Sequence, residues 1–191
     1  FQTGTCWAFA ALSCTESNLI QKGLENQNVQ FSVPSLVLST YANGGFDESI
    51  WDCGGTWMDS SLAMAAHRGL CYDEYEPFVS DGTEATIVSE EKKGVCEYQL
   101  NYASTITGGR NAIKNKIKEL GGVMVSYYAD DLYMTFDNKS YYDPETTKYS
   151  GINHAVSVVG WDDNYSKSNF LAGYQPKKNG AWLVKGSWGV S

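Results

Sequence analysis

Two histidines and five cysteines stand among the 191 residues of this chain, so few groups could run nucleophilic chemistry at neutral pH. Cys6 comes first. It lies in Gly4-Thr5-Cys6-Trp7-Ala8-Phe9-Ala10 and heads an apolar run of Trp7, Phe9, Ala10, Ala11 and Leu12 with helical character. That places the thiol at a helix N-terminus, where unpaired N–H groups and the macrodipole favour negative charge. A thiol so placed ionises more readily, and the thiolate is the form that attacks a carbonyl carbon. A cysteine heading an apolar helix is more often a buried, inert residue. The rest of the chain decides between the two readings for Cys6.

His154 is the group that could take its proton. Asn153-His154-Ala155-Val156-Ser157-Val158-Val159-Gly160-Trp161 reads as a strand, ended by Gly160 and the polar Asp162-Asp163-Asn164. His154 stands where a polar loop enters that strand, a common position for a functional side chain carried on a rigid scaffold. The other histidine, His67, belongs to the helical stretch Leu62 to Arg68 closed by Gly69 and reads as an ordinary last-turn residue.

The elements that must position this pair follow from periodicity and stop signals. Residues 6–23 read as a long helix closed by Lys22-Gly23, and 34–41 and 56–68 as further helices. Residues 98–106 read as a strand, and 111–120 as a helix with apolar Ile113 and Ile117 and a Gly121-Gly122 stop. Residues 123–129, 154–161 and 181–185 read as strands, and the polar, tyrosine-rich stretch 130–150 as a surface loop. Helices first and strands later suit an α+β unit of two subdomains.

Three motifs, in this order, resemble the papain-like cysteine peptidases: Gly4-Thr5-Cys6-Trp7-Ala8-Phe9-Ala10, Asn153-His154-Ala155-Val156, and Trp182-Leu183-Val184-Lys185-Gly186-Ser187-Trp188-Gly189. Asp52-Cys53-Gly54-Gly55, ahead of a helix, resembles the family's Cys-Gly-Gly segment, whose backbone borders the substrate cleft. Gly69-Leu70 and Tyr75-Glu76-Pro77-Phe78 resemble the family's segment after that helix. The long loop from Asp162 to Trp182 looks like bacterial members. The resemblance spans Thr3 to Gly189. It implies a papain-like fold in one domain over 1–191: a mainly helical half, about 1–97, with a long central helix, and a mainly antiparallel β half, about 98–191, with a cleft between. It implies a thiol endopeptidase in which Cys6 and His154 form a thiolate–imidazolium pair. The Cys6 backbone N–H would hold the oxyanion, while Gly54, Gly55, Asn153 and Trp188 would border the substrate. Trp57 and Met58 either line a side-chain pocket or pack in the core.

Three positions depart from the family's pattern. Its orienting asparagine is replaced by Gly186, which has no side chain, while Trp188, which in the family covers the His–Asn contact, is kept. Its oxyanion-hole glutamine would fall just before Phe1; either that residue lies upstream or Gln2 takes its place. Thr3 stands where many members carry a cysteine for a disulfide to the Cys-Gly-Gly segment, so that bridge cannot form to Cys53. A peptide-binding protein without turnover is the alternative that Gly186 supports, and acyl transfer to an amine is a further one.

The balance of 14 basic and 22 acidic residues gives a net charge of −8, which argues against nucleic acid or anionic membrane surfaces as partners. No stretch approaches the roughly 18 consecutive apolar residues of a membrane-spanning helix. The expected partner is a peptide or protein substrate, with room for a propeptide or neighbouring domain outside residues 1–191. The chain lacks an initial Met and stops soon after Gly189, so it reads as a core incomplete at both termini. Beside Cys6, Cys14, Cys53, Cys71 and Cys96 allow three pairings or four free thiols. The count and the resemblance together suit a secreted or cell-surface protein. No cofactor is expected. Nor is a metal: Asp162, Asn164 and Ser166 alternate like the opening of a calcium loop, but the closing position is Gly173 rather than glutamate.

Overall fold

Helix α1 (Cys6–Gln21) is the element around which the rest is arranged in the computed structural model, which describes residues 4–41, 54–66, 70–75, 77–78, 98–137, 139–145 and 151–188. Its first three turns are apolar or small on nearly every side, and Trp7, Ala8, Ala10, Ala11, Leu12 and Leu19 are all buried. A helix apolar all round belongs inside a protein rather than on its surface. It ends at the expected Lys22-Gly23 stop, where the Gly23 and Leu24 N–H groups turn back onto Ile20 and Leu19 carbonyls.

Helix α2 (Val33–Tyr41) starts with Pro34 in its first turn, and the Ser32 hydroxyl accepts the Ser35 N–H at 3.0 Å. Helix α3 (Trp57–Ala65) opens on a reciprocal cap between Thr56 and Asp59. It runs to Ala65 with Ala66 as its cap, and the expected end at Arg68 lies outside the described residues. Buried Val29, Phe31, Val33, Leu36 and Val37 join Ala63, Met64 and Leu70 against α1 in one apolar cluster.

Helix α4 (Arg110–Leu120) leads directly into a three-stranded antiparallel sheet of β1 (Val123–Tyr127), β2 (His154–Asp162) and β3 (Ala181–Lys185), in that spatial order. Val123 faces Val158 and Tyr127 faces His154 across β1 and β2. Ser157 faces Lys185 across β2 and β3, with an irregularity between Val158 and Gly160. The expected α+β class holds. No helix among the described residues is long and apolar enough to cross a membrane.

The sheet lies against α1 through small groups. The Cys14 thiol and Ser157 hydroxyl are 3.2 Å apart, and burial pushes the Cys14 thiol up to about 11, so it is an inert structural thiol. Cys14 is free, which excludes every two-bridge pairing of the four remaining cysteines. Cys53 and Cys96 lie outside the described residues. Beside this contact the chain turns from α4 into β1 through Gly121 and Gly122. Gly121 has φ +95°, and a Cβ there would fall 2.7 Å from the Ser17 backbone; at Gly122 it would fall 2.7 Å from Ser157 Oγ. The two glycines allow the sheet to approach the helix.

Glu16 fastens the interface further along. It is buried, accepts the Phe31 N–H through Oε1 at 3.0 Å, and meets Lys185 Nζ through Oε2 at 2.9 Å. One carboxylate thus ties α1 to the entry of α2 and to the last residue of β3.

Two expectations are corrected. Residues 98–106 form no strand. Their first residues bond to helix α3 and to the α1–α2 loop instead: Leu100 N–H reaches the Met64 carbonyl, Gln99 Nε2 the Ala65 carbonyl, and the Tyr98 hydroxyl Glu25. The carbonyls that a helix C-terminus leaves unpaired recruit this segment. The second correction concerns the described part of 130–150. It is not a plain surface loop, because Tyr133 is 1% exposed and Met134 bridges to Tyr141. Tyr133 packs edge-on against Tyr174 at 5.0 Å and Ser140 bonds to the Tyr165 hydroxyl, so this segment and the 163–180 loop form an aromatic layer together.

Substituting Gly121→Ala combines a disfavoured φ with a backbone clash. It should lower unfolding free energy by about 2 kcal/mol in denaturant titration. Glu16→Ala leaves the Phe31 N–H and the Lys185 ammonium without their partner, and a loss of similar size, about 2 kcal/mol, is expected. Glu16→Gln, which keeps an acceptor for Phe31, should lose less.

Candidate active site

Cys6 is the first residue of α1 and is half-buried, directly after buried Thr5. At this position its N–H has no acceptor within the helix. His154 is the first residue of β2 and only 6% exposed. The register explains how elements so distant in sequence bring these residues to one end of the molecule. Gly122 lies on Cys14, Tyr127 stands at the other end of β1, and Tyr127 is the cross-strand partner of His154. From Cys14 back to Cys6, α1 runs about 12 Å; from Ser157 back to His154, β2 runs about 10 Å. Electrostatics identifies the shared end. The Tyr127 phenol is raised above its ordinary value, first by burial and then by the charge of Cys6. The N-terminus of α1, the end of β1 and the start of β2 therefore converge.

Aromatic rings surround the imidazole. Trp188 stacks on His154 with ring centroids 4.4 Å apart and planes 15° apart. Tyr127 meets it edge-on at 5.7 Å and 75°. Burial pushes His154 below its ordinary value of 6.5 and is the one cause of that shift. Among the described residues no side chain makes a hydrogen bond to the ring. Gly186, in the position from which an acceptor is expected, is exposed, and a Cβ there would meet only Val156 Cγ1, at 3.7 Å. Position 186 therefore has room for a side chain.

Several of the other residues expected at the site are described, and each makes contacts of its own. Gly55 lies on the residue after the cysteine: a Cβ at Gly55 would stand 2.4 Å from the Trp7 indole, so only glycine fits. The Gly54 carbonyl accepts the Tyr41 hydroxyl at 2.9 Å, and Tyr41 packs edge-on against Trp7. Trp57 and Met58, at the start of α3, are 43% and 55% exposed, so neither is a core residue. Asn153, expected to border the substrate, has its amide engaged within the protein. Its amide accepts the Ala129 N–H at 2.6 Å and donates to the Ala129 carbonyl at 2.8 Å, clamping the chain that enters β2 to the chain that leaves β1. Gln2 and His67 lie outside the described residues. Asp162 and Ser166 make local turn bonds to the Asn164 and Ser168 N–H groups. Among the described residues no three acidic, cysteine or histidine side chains gather as a metal would require.

Sequence reasoning overlooks Tyr127. It ends an ordinary apolar strand, and nothing local distinguishes it. Only the β1–β2 register brings it to His154.

Comparison with known proteins gives the arrangement its context. A family model described as papain family cysteine protease matches residues 1–191. Procathepsin L of Mus musculus is 27% identical over 197 residues, a match covering 98% of this chain and 51% of the relative. Cathepsin K of Mus musculus is 26% identical over 191 residues, covering 100% and 51%. The chain thus spans about half the length of these relatives. Among solved structures, the clostridial cysteine protease Cwp84 after propeptide cleavage superposes with a TM-score of 0.75 at 28% identity, covering 98% of this chain and 46% of that one. With a family match along the whole sequence and a fold shared with a solved bacterial protease, this chain belongs to the papain family of cysteine proteases.

Proposed function

We propose that this chain hydrolyses peptide bonds as a thiol endopeptidase, with Cys6 as nucleophile and His154 as its base. The observation that carries the reading is the convergence of Cys6, at the head of α1, with the buried His154, at the head of β2, in a chain matched throughout by the family. His154 takes the proton from Cys6 Sγ, and the thiolate adds to the scissile carbonyl. The Cys6 N–H, which has no acceptor within the helix, donates to the oxyanion, a contact of a kind worth ~3 kcal/mol in the transition state. Gln2, or a residue before Phe1, is the second donor. The imidazolium then protonates the leaving amine, and water releases the acyl group from sulfur. Trp188, stacked on the ring, stabilises the imidazolium through its π face.

Gly55, pressed on Trp7, and Gly54 lie where the backbone of an extended peptide would add beside the cysteine. Trp57 and Met58 offer an apolar surface next to it for a substrate side chain. Residues 1–97 and 98–191 are the two halves that would form this cleft. The solved relative Cwp84 is described as a surface layer associated protein of Clostridium difficile, and it was captured after propeptide cleavage. We take from it a bacterial, secreted or cell-surface setting and activation by loss of a propeptide.

A second reading has one specific observation in its favour. Gly186 offers His154 no acceptor, so a protein that binds peptides without turnover is the competing account. Removing an orienting group lowers a rate while nucleophile and base remain. Because position 186 has room, Gly186→Asn should raise kcat/KM on peptide substrates by about 10-fold or more with little change in KM. Absence of cleavage in both folded proteins would leave the binding reading.

The pH dependence of Cys6 alkylation tests the pair itself. A thiol coupled to His154 should be alkylated well below its ordinary value of ~8.5. The rate of alkylation in the parent should then rise with its midpoint below that value. In His154→Ala the midpoint should move up toward ~8.5, the ordinary thiol value. A parent whose alkylation rises only near ~8.5 has no coupled pair.

A further inference from the structure

The His154 ring has a face and an edge covered by aromatic residues and no hydrogen-bonding side chain among the described residues. The second torsion of a histidine side chain is soft and broad, so a buried ring without a polar anchor needs some other restraint to keep one orientation. Trp188, nearly parallel to the ring at 15°, blocks tilting out of its plane. A stacked face still leaves rotation within that plane and sliding across it. Tyr127, 5.7 Å away and at 75° to the ring, is the second aromatic neighbour, and a plane so different from that of Trp188 restrains motions that stacking alone leaves free.

Tyr127 is itself held firmly. It sits in the last β1 position paired with His154, so its backbone cannot move without the strand. Its ring packs on Tyr141 at 5.4 Å. Tyr141 in turn is bridged to Met134 and donates its hydroxyl to the Tyr128 carbonyl at 2.9 Å. Asn153 closes the same corner through both its bonds to Ala129. Tyr127 therefore has a rigid mount, whereas Gly186 has no side chain to offer.

We propose that Tyr127 is a positioning residue for His154: with Trp188 it forms an aromatic clamp that fixes the imidazole in a chain whose Gly186 supplies no acceptor. The proposal rests on the reading of His154 as the base of Cys6. It has a direct consequence. The importance of Tyr127 depends on what occupies position 186, because an amide there would orient the ring by hydrogen bonding and make the clamp redundant.

The experiment combines two measurements on parent, Tyr127→Leu, Tyr127→Phe, Gly186→Asn and the Tyr127→Leu/Gly186→Asn double variant. In the first, the histidine rings are observed by NMR. There are only two, and His154→Ala assigns the signal. In the parent the His154 ring protons should be shifted upfield by the Trp188 face; in Tyr127→Leu they should broaden or move toward the values of a free imidazole, and Tyr127→Phe should recover the parent signal. In the second, kcat/KM is measured on a peptide substrate. Tyr127→Leu should lower it about 10-fold through kcat in the Gly186 parent, and less than about 2-fold in the Gly186→Asn background. Equal losses in the two backgrounds, or a His154 signal indifferent to residue 127, overturn the clamp. Should neither parent nor Gly186→Asn cleave peptides, the proposed function fails, and the His154 signal still decides the clamp. Tyr127→Val, also compatible with a strand, substitutes if the leucine variant does not fold.

Discussion

How closely helix α1 can approach strand β2 governs the rest of this molecule. The two elements carry Cys6 and His154 at their first residues, so neither has a flexible tether that could correct a misplaced partner. The approach is set by small side chains. Cys14 and Ser157 touch through single heavy atoms, Ala155 joins the α1 cluster, and Gly121 and Gly122 leave no Cβ to hold β1 away. Close-packed interiors transmit even a methylene of extra volume as displacement. An error at this contact would appear, undamped, as an error in the distance between thiol and imidazole.

A second layer of constraint comes from charge. A buried carboxylate is tolerable only with its partners in place. Glu16 has two that come from different parts of the fold, the Phe31 backbone and the Lys185 side chain. The Lys185 head is largely exposed while Glu16 is not, so the pair is anchored on the helix side. Because Lys185 immediately precedes Gly186-Ser187-Trp188, the same contact fixes the start of the segment whose indole covers His154. The apolar packing of α1 and the polar tie of Glu16 thus act on one target from two sides.

The features legible in the sequence are those that leave a local mark. Cys6 heads an apolar helix, that helix stops at Lys22-Gly23, Gly121-Gly122 ends α4, and the alternation after His154 marks a strand; each is a signal within a few residues. The features hidden from it depend on which distant segment lies alongside. Residues 98–106 have strand composition, yet their hydrogen bonds go to the end of α3, and no local pattern reveals that the Met64 and Ala65 carbonyls need a partner. The tyrosines after position 130 look polar by their hydroxyls, but their rings find Tyr174 and Phe170 across another loop. Tyr127 is hidden for the same reason, since its neighbour His154 is supplied by register alone. Asn153 stands out beside His154 in the sequence, but its attachment to Ala129 does not.

The glycines separate what the fold demands from what it merely permits. At Gly55, Gly121 and Gly122 an added Cβ would stand 2.7 Å or less from a neighbouring atom, so packing dictates the residue. At Gly186 it would stand in ordinary contact with Val156, so packing does not. The lack of a side chain at position 186 is therefore a chemical difference rather than a steric necessity, and its effect can be specified. Aromatic neighbours restrain the plane and direction of an imidazole, but they do not distinguish which nitrogen carries the proton. A hydrogen-bonding amide does both. In a site held by Tyr127 and Trp188, the choice of tautomer falls to the polar group that reaches the ring, and under the proposed mechanism that group is the Cys6 thiol. As its S–H turns to one nitrogen, that nitrogen becomes the acceptor and the proton resides on the other. Orientation would then be built into the fold, while the protonation pattern would be set by the nucleophile itself.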